Sequence, residues 1–452
     1  MSVSALNVDE TSIFGQVPET WRIDRIRDRL GAIVGGEWGD DPDAHDEGVE
    51  IAVIRVADIR GFDVATEDLT IRRVKESKLP GRLIGKRTLL LEKSGGGEQK
   101  PVGRAVLGRN LSCDAICSNF MAKTDCGPTL DPLFAAYLLD AAYSSGVNRP
   151  HVQQTTGIQN LRAFDYLNTH VAFPLLPEQQ RIAAYLDASC EAIDAAVAAK
   201  GGQLGTLDSV RKAVISRAVT YGIATQPRLR QVDYDWLKEV PTDWEVCRVK
   251  RVLGCMDYGI SVSTIEKGHY PVLKMGHLQD GEISFSNLDF VDEVDENLLL
   301  ETGDLLYNRT NSPDQVGKAA VFRKSRADAI TFASYLVRLR VNHRANPFFL
   351  NYVFNSDGFL GFARRLAIQS VQQSNLNSTR YSQLFIPLPP LAEQNTICAY
   401  LDEKVAELKH IVDGIEFQIK TLTAYRQSLI HECVTGQRRI TDADLNRVKA
   451  HG

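Results

Sequence analysis

Two stretches of the chain carry apolar residues at steps that alternate four and three. Between 401 and 429 these are Leu401, Val405, Leu408, Val412, Ile415, Ile419, Leu422 and Leu429, with Arg426 at the one polar seam position. The same register between 186 and 218 gives Leu186, Cys190, Ile193, Val197, Lys200, Leu204, Leu207, Arg211, Val214 and Ala218. A heptad seam of this length predicts a long helix paired with another. Pro177 and Pro390 suit the helix starts, because proline presets φ and its missing N–H costs nothing there. The predicted helices cover 177–221 and 390–435, each about 66 Å at 1.5 Å per residue. Gly201, Gly202 and Gly205 weaken the first by about 1 kcal/mol each relative to Ala, so its continuity is in question. Ahead of each helix the pattern changes to short apolar runs broken by Gly, Pro and Asn. There Ile51–Val56 and Thr88–Leu91 read as strands and Phe134–Ala142 as a short helix.

The chain also repeats itself at a spacing of 214 to 223 residues. Val17–Trp21 (VPETW) returns as Val240–Trp244 (VPTDW), and Val102-Gly103-Arg104-Ala105 as Val316-Gly317-Lys318-Ala319. Pro132-Leu133-Phe134 returns as Pro347-Phe348-Phe349, Val152-Gln153-Gln154 as Val371-Gln372-Gln373, and Tyr185-Leu186-Asp187 as Tyr400-Leu401-Asp402. Five matches in one order predict two copies of one unit of about 200 residues. The expected architecture is α+β: two mixed α/β globules, 17–176 and 240–389, separated by an antiparallel coiled coil of the two long helices. A pseudo-two-fold then relates the copies. Residues 1–16 and 436–452 read as tails and 222–239 as a linker.

Composition excludes several classes. With 44% hydrophobic and 24% charged residues, the chain is that of a globular protein. The longest apolar run, near Leu133–Tyr143, contains Asp140 and is too short to span a bilayer. The N-terminus lacks a basic start followed by an apolar run, so a cytoplasmic protein is expected. Cys113, Cys117 and Cys126 lack metal-ligand spacing, so reduced thiols and no metal are expected. The net charge of −5 rules out a uniformly basic coat but not local patches. Residues 37–50 hold seven acids and no Lys or Arg, whereas 72–109 hold eleven Lys and Arg against three acids. The order recurs: 270–302 carry eight acids and one Lys, and 303–344 eight Lys and Arg against three acids. A basic segment inside an acidic chain can still contact phosphates.

Catalytic constellations are missing from the sequence. Gly81–Arg87 falls short of a phosphate-binding loop by one residue and by its Arg in place of Ser or Thr. Asp131–Phe134 lacks the second proline of an amino-methyltransferase motif. Ser94 lacks a nucleophile elbow, and the His residues are scattered. What is present suits binding. The loops after the Thr88 strand and its counterpart carry Lys93, Ser94, Gly95, Gly96 and Arg104 in one copy. In the other they carry Asn308, Arg309, Thr310, Asn311, Ser312 and Lys318. Arg or Lys in such a loop can reach guanine or phosphate, and Asn or Gln can reach adenine. Gln153, Gln154, Gln372 and Gln373 add donors and acceptors.

VPETW and VPTDW, EKSGGG with PVGR, LLYNRTNS with VGKAAVF, and QTTGIQNL (154–161) resemble segments of the specificity (S) subunit of type I restriction-modification systems. LLPEQQRIAAYLD (175–187) and LPPLAEQNTICAYLD (388–402) carry the resemblance most specifically. It implies that the globules are target recognition domains, each reading one half of a bipartite duplex DNA sequence. It implies that the helices dock two methylation (M) subunits, with two restriction (R) subunits a further possibility. It implies no catalysis and no cofactor on this chain, S-adenosylmethionine and ATP/Mg being expected on partner subunits, and no membrane. Because SGGG in one copy stands where RTNS stands in the other, two dissimilar half-sites are expected. The competing readings are a fused methyltransferase or nuclease, and a coiled-coil scaffold whose globules bind other proteins rather than DNA.

Overall fold

The computed structural model describes residues 17–43, 47–61, 63–98, 100–155, 157–234, 236–369 and 373–450. Residues up to Lys200 together with those from Phe417 onward form one unit, and Gly201–Glu416 form the other. This division differs from the sequence reading, because each long helix is shared between both units. The first helix runs Leu176–Tyr221, 46 residues without interruption, and the second Leu391–Val434, 44 residues. Gly201, Gly202 and Gly205 do not break the first; all are exposed, with open space where a Cβ would stand. The seam positions Leu186, Ile193, Leu204, Leu207, Leu401, Leu408, Ile415, Ile419 and Leu422 are all buried or half-buried, while most positions between them are exposed.

In the first unit the start of the first helix meets the end of the second. Leu186, Cys190 and Ile193 share a core with Leu429, Ile430, Cys433 and Val434. Arg426, the polar seam residue, pairs with Asp194 at 3.0 Å. In the second unit Ala218 and Val219 of the first helix share a core with Ile397, Cys398 and Leu401 of the second. The two helices therefore run antiparallel. Arg211 behaves differently from its counterpart Arg426 and pairs with Asp208, one turn back on its own helix.

Among the described residues the five sheets of the first unit recur in the second in the same strand order, and the second adds a hairpin. In the first unit a four-stranded antiparallel sheet has the order Val34–Gly35, Met121–Asp125, Thr88–Glu92, Ala105–Leu107. Its counterpart has the order Leu253–Tyr258, Leu336–Val341, Leu305–Asn308, Ala319–Val321. A mixed three-stranded sheet follows in both: Ala115–Cys117, Val49–Ile54 and Thr70–Val74, against Thr331–Phe332, Tyr270–Leu273 and Asp289–Val291. A helix packs on each large sheet, Pro132–Ser144 and Pro347–Asn355, capped by Asp131 and Asn346, whose side chains accept backbone N–H groups of the first turn.

One glutamine per copy ties each long helix to its globule. Gln179 is wholly buried; its Oε1 accepts the Asp131 N–H at 2.8 Å and its Nε2 donates to the carbonyls of Thr129 and Pro174. Gln394 repeats all three bonds with Asn346, Arg344 and Pro389. These glutamines come from the PEQQ and AEQN motifs. The two VP-x-x-W motifs also find their place: Trp21 packs against Gly436 just past the second helix, and Trp244 against Gly222 just past the first. Both glycines have positive φ, 77° and 75°, as a helix-ending residue requires.

Two segments read as linker and tail are structured. Leu229–Tyr234 and Leu237–Pro241 form a hairpin, from which the Trp236 indole N–H donates to the Phe385 carbonyl at 2.9 Å. Asp442–Lys449 forms a helix, and Arg181 and Glu178 of the first long helix hold Asp442 and Arg439 beside it.

Candidate nucleic-acid interface

A second three-stranded sheet carries the loop residues singled out in the sequence. In the first unit Ser94–Gly95 pairs with Ile158–Leu161, which pairs with Val152–Thr155. In the second, Thr310–Asn311 pairs with Ser374–Asn375, which pairs with Ile368–Gln369. Lys93 and Arg309 stand at the entry to this sheet. Their carbonyls accept the N–H groups of Leu161 and Leu376, both at 2.8 Å. Ser94 bonds Asn160, and Thr310 bonds Asn375.

The ladder corrects two correspondences. Arg309 answers to Lys93 and Thr310 to Ser94, so RTNS is offset by one residue from SGGG. Gln154 lies opposite Gln159 and Gln369 opposite Ser374, and both Gln159 and Ser374 pair with the loop strand. Gln154 therefore answers to Gln369, at the same 215-residue spacing as Pro132 and Pro347 or Tyr185 and Tyr400, and not to the glutamine pair 372–373. Gln372 lies outside the described residues; Gln373, Gln153 and Gln154 are exposed.

The remaining candidates divide by burial. Gly95 and Gly96 have positive φ, and a Cβ on Gly96 would lie 2.8 Å from the Val102 nitrogen. Arg104 is half-buried and pairs with the buried Glu92 at 3.0 Å. Asn308 is enclosed, so its side chain belongs to the interior and not to the loop face, and Thr310 is nearly so. Asn311 and Ser312 are half-buried; the Asn311 Oδ1 accepts the Ser312 N–H, and the Ser312 hydroxyl donates to Asp314. Lys318 is half-buried. The Arg309 guanidinium lies 5.0 Å from the ring centre of Tyr258.

The charged runs partly neutralise one another. Arg72 pairs with Asp41, Arg73 with Glu50 and Lys78 with Glu37, so the acidic stretch folds along the basic one. In the second unit Lys274 pairs with Asp289, Arg323 with Glu282, and Arg340 with Glu301 and Asp304. The cation available to a ligand is accordingly less than the counts suggest; it includes exposed Lys75, Lys86, Lys100 and Lys324 and, among the candidates, half-buried Lys93, Arg309 and Lys318.

Aromatic residues absent from the sequence-derived set lie beside those cations. Phe120 is 43% exposed and Tyr335 48%. Phe120 also lines a cavity of about 380 Å³ with Trp38, Arg55, Ser94, Gly95 and Ser118. The signal was present in the sequence, since the 215-residue spacing carries Phe120 onto Tyr335. Among the described residues no His, Cys, Asp and Glu group could hold a metal ion, and no helix is long and apolar enough to cross a membrane.

Residues 241–420 match the model of the type I restriction modification DNA specificity domain. Among curated proteins, the chain is 27% identical over 203 residues to the type I restriction enzyme specificity subunit MjaX of Methanocaldococcus jannaschii, covering 44% of this chain and 47% of that one. It is 24% identical over 303 residues to the EcoKI specificity subunit of Escherichia coli K12, covering 64% and 62%. The matched parts thus span about half and about three fifths of those relatives' own length. A structure solved in a study of complex assembly and conformational transition of the type I R-M system superposes with a TM-score of 0.71 at 16% identity, covering 94% of this chain and all of the other. The HsdS subunit from Thermoanaerobacter tengcongensis superposes with a TM-score of 0.52 at 17% identity, covering 94% and 99%. Over the matched parts the chain is similar in sequence to type I restriction enzyme specificity subunits, and its fold matches that of the solved HsdS subunit.

Proposed function

We propose that this chain is the DNA-reading subunit of a type I restriction-modification complex. Each unit reads one half of a bipartite duplex target, and bond-making belongs to other subunits. The observation that carries the reading is the duplicated loop sheet: one backbone arrangement presents Lys93-Ser94-Gly95 in one unit and Arg309-Thr310-Asn311 in the other. Equal scaffolds with unequal side chains suit two unequal half-sites, because base edges are distinguished by donor and acceptor pattern. The long helices dock two methylation subunits in this reading. Exposed Phe417 and Tyr425 on the second helix favour it, being the residue types that anchor protein interfaces. S-adenosylmethionine and ATP/Mg are then the partners' ligands.

Selection from a random duplex library, with the chain assembled with its methylation subunits, tests the reading. The expected result is a two-part motif with a fixed gap. Affinity should fall steeply with salt, since each neutralised phosphate releases counterion. A library that enriches no sequence would overturn the reading.

A further inference from the structure

In both units the residue just before the paired loop strand is a cation, Lys93 or Arg309. Its backbone N–H and that of the next residue converge on one carbonyl. In the first unit the Phe120 carbonyl accepts Lys93 N–H at 2.9 Å and Ser94 N–H at 3.0 Å. In the second the Tyr335 carbonyl accepts Arg309 N–H at 3.0 Å and Thr310 N–H at 3.3 Å. Neither aromatic ring is needed for this clamp, because any residue supplies a carbonyl. Both copies nevertheless place a large ring there and leave about half of it in solvent. Exposing a large ring forgoes the stabilisation that its burial would bring. The same expenditure at the same node of two otherwise divergent copies calls for a shared ligand.

We propose that Phe120 and Tyr335 are base-contacting residues, one per half-site. Each ring lies against the apolar face or methyl edge of a base in duplex DNA, while the clamped Lys93 or Arg309 reaches the neighbouring phosphate or guanine. The inference rests on the DNA-reading function proposed above and adds residues to it. The occupant follows from the chemistry at the node: an apolar ring and a cation fixed to one carbonyl match a stacked base beside its phosphate, and aromatic side chains contact thymine methyls or wedge between base steps. The two rings differ in one group, the Tyr335 hydroxyl, which gives the second unit a donor that the first lacks.

The test compares Phe120→Ala, Tyr335→Ala and Arg309→Ala in the full chain assembled with its methylation subunits. Library selection and titration on the selected duplex are the readouts. Phe120→Ala is expected to relax preference in one half of the motif only, and Tyr335→Ala in the other half only. Each should weaken the selected duplex by ten- to a hundredfold, leave unrelated DNA within about twofold, and leave the salt slope unchanged, because no charge is lost. Arg309→Ala should lower the salt slope by about one. Phe120→Leu and Tyr335→Phe control for folding and should keep the parent's unfolding temperature. If the parent selects a motif and both alanine variants select the same motif with the same affinity, this inference fails while the reading function stands. If the parent selects nothing, the reading function itself fails, and this inference with it.

Discussion

Replacing Gln394 with Met keeps the volume of the side chain and removes its amide. Three backbone groups lose their partner at once: the Asn346 N–H, held at 2.7 Å, and the carbonyls of Arg344 and Pro389, held at 3.1 and 2.9 Å. A buried polar group left without a partner costs about 1–3 kcal/mol. Only the Pro389 bond is fully enclosed, so rehydration recovers part of the loss at the other two. The expected net cost is roughly 2–4 kcal/mol, which for a unit of this size lowers the unfolding temperature by about 5–10 °C. Calorimetry of the full chain measures this directly. Gln179→Met, which breaks the same three bonds in the first unit, should cost about as much. A shift below about 1 °C in both variants would refute the claim that these glutamines hold the long helices to the globules.

Three further outcomes are expected. Gly201→Ala, Gly202→Ala and Gly205→Ala should each stabilise the first helix by roughly 1 kcal/mol, since a Cβ meets nothing within 4 Å at any of them; denaturant unfolding that shows no gain for the triple variant would contradict the exposed, continuous helix. Arg104→Ala should destabilise the first unit by roughly 1–3 kcal/mol, because it strands the buried Glu92 carboxylate; Arg104→Ala combined with Glu92→Gln should recover most of that loss, and a failure to recover would remove the ion pair from the explanation. Burial holds the Asp140 carboxyl above its ordinary range despite the opposing pull of Arg426. An acid whose value is raised by folding favours the folded state only when protonated, so its cost grows as pH rises from the ordinary carboxylate range and is fully present above its folded value. Asp140→Asn should therefore raise the unfolding temperature at neutral pH, the difference closing below about pH 3. A difference independent of pH would be inconsistent with this account.

The long helices and their antiparallel pairing were legible in the sequence, because a heptad seam is a local pattern and every position in it reports on one face. The duplication was legible too, and with it the expectation of matched globules. The glycines at 201, 202 and 205 left the continuity of the first helix open, and it is continuous: packing at both ends outweighs a few local penalties of about 1 kcal/mol each. The charged runs left local basic patches open, yet Arg72, Arg73 and Lys78 close onto the acidic segment, and net charge along a chain cannot tell a free cation from a paired one.

Within the loop sheet, residue type singled out Lys93 and Arg309 as candidates, but side-chain direction there is set by strand register, which shifts with turn length. That is why the glutamine pair at 372–373 looked like the partner of Gln153 and Gln154 while the ladder gives Gln369 to Gln154, and why Asn308 faces inward. The clamp beneath Phe120 and Tyr335 left the least trace, because its acceptor is a main-chain carbonyl that every residue possesses. Sequence alone thus determined the two long helices, the twofold plan and the kinds of side chain offered to a ligand. Tertiary structure decided which of them face outward, because exposure follows from contacts between segments far apart in the chain.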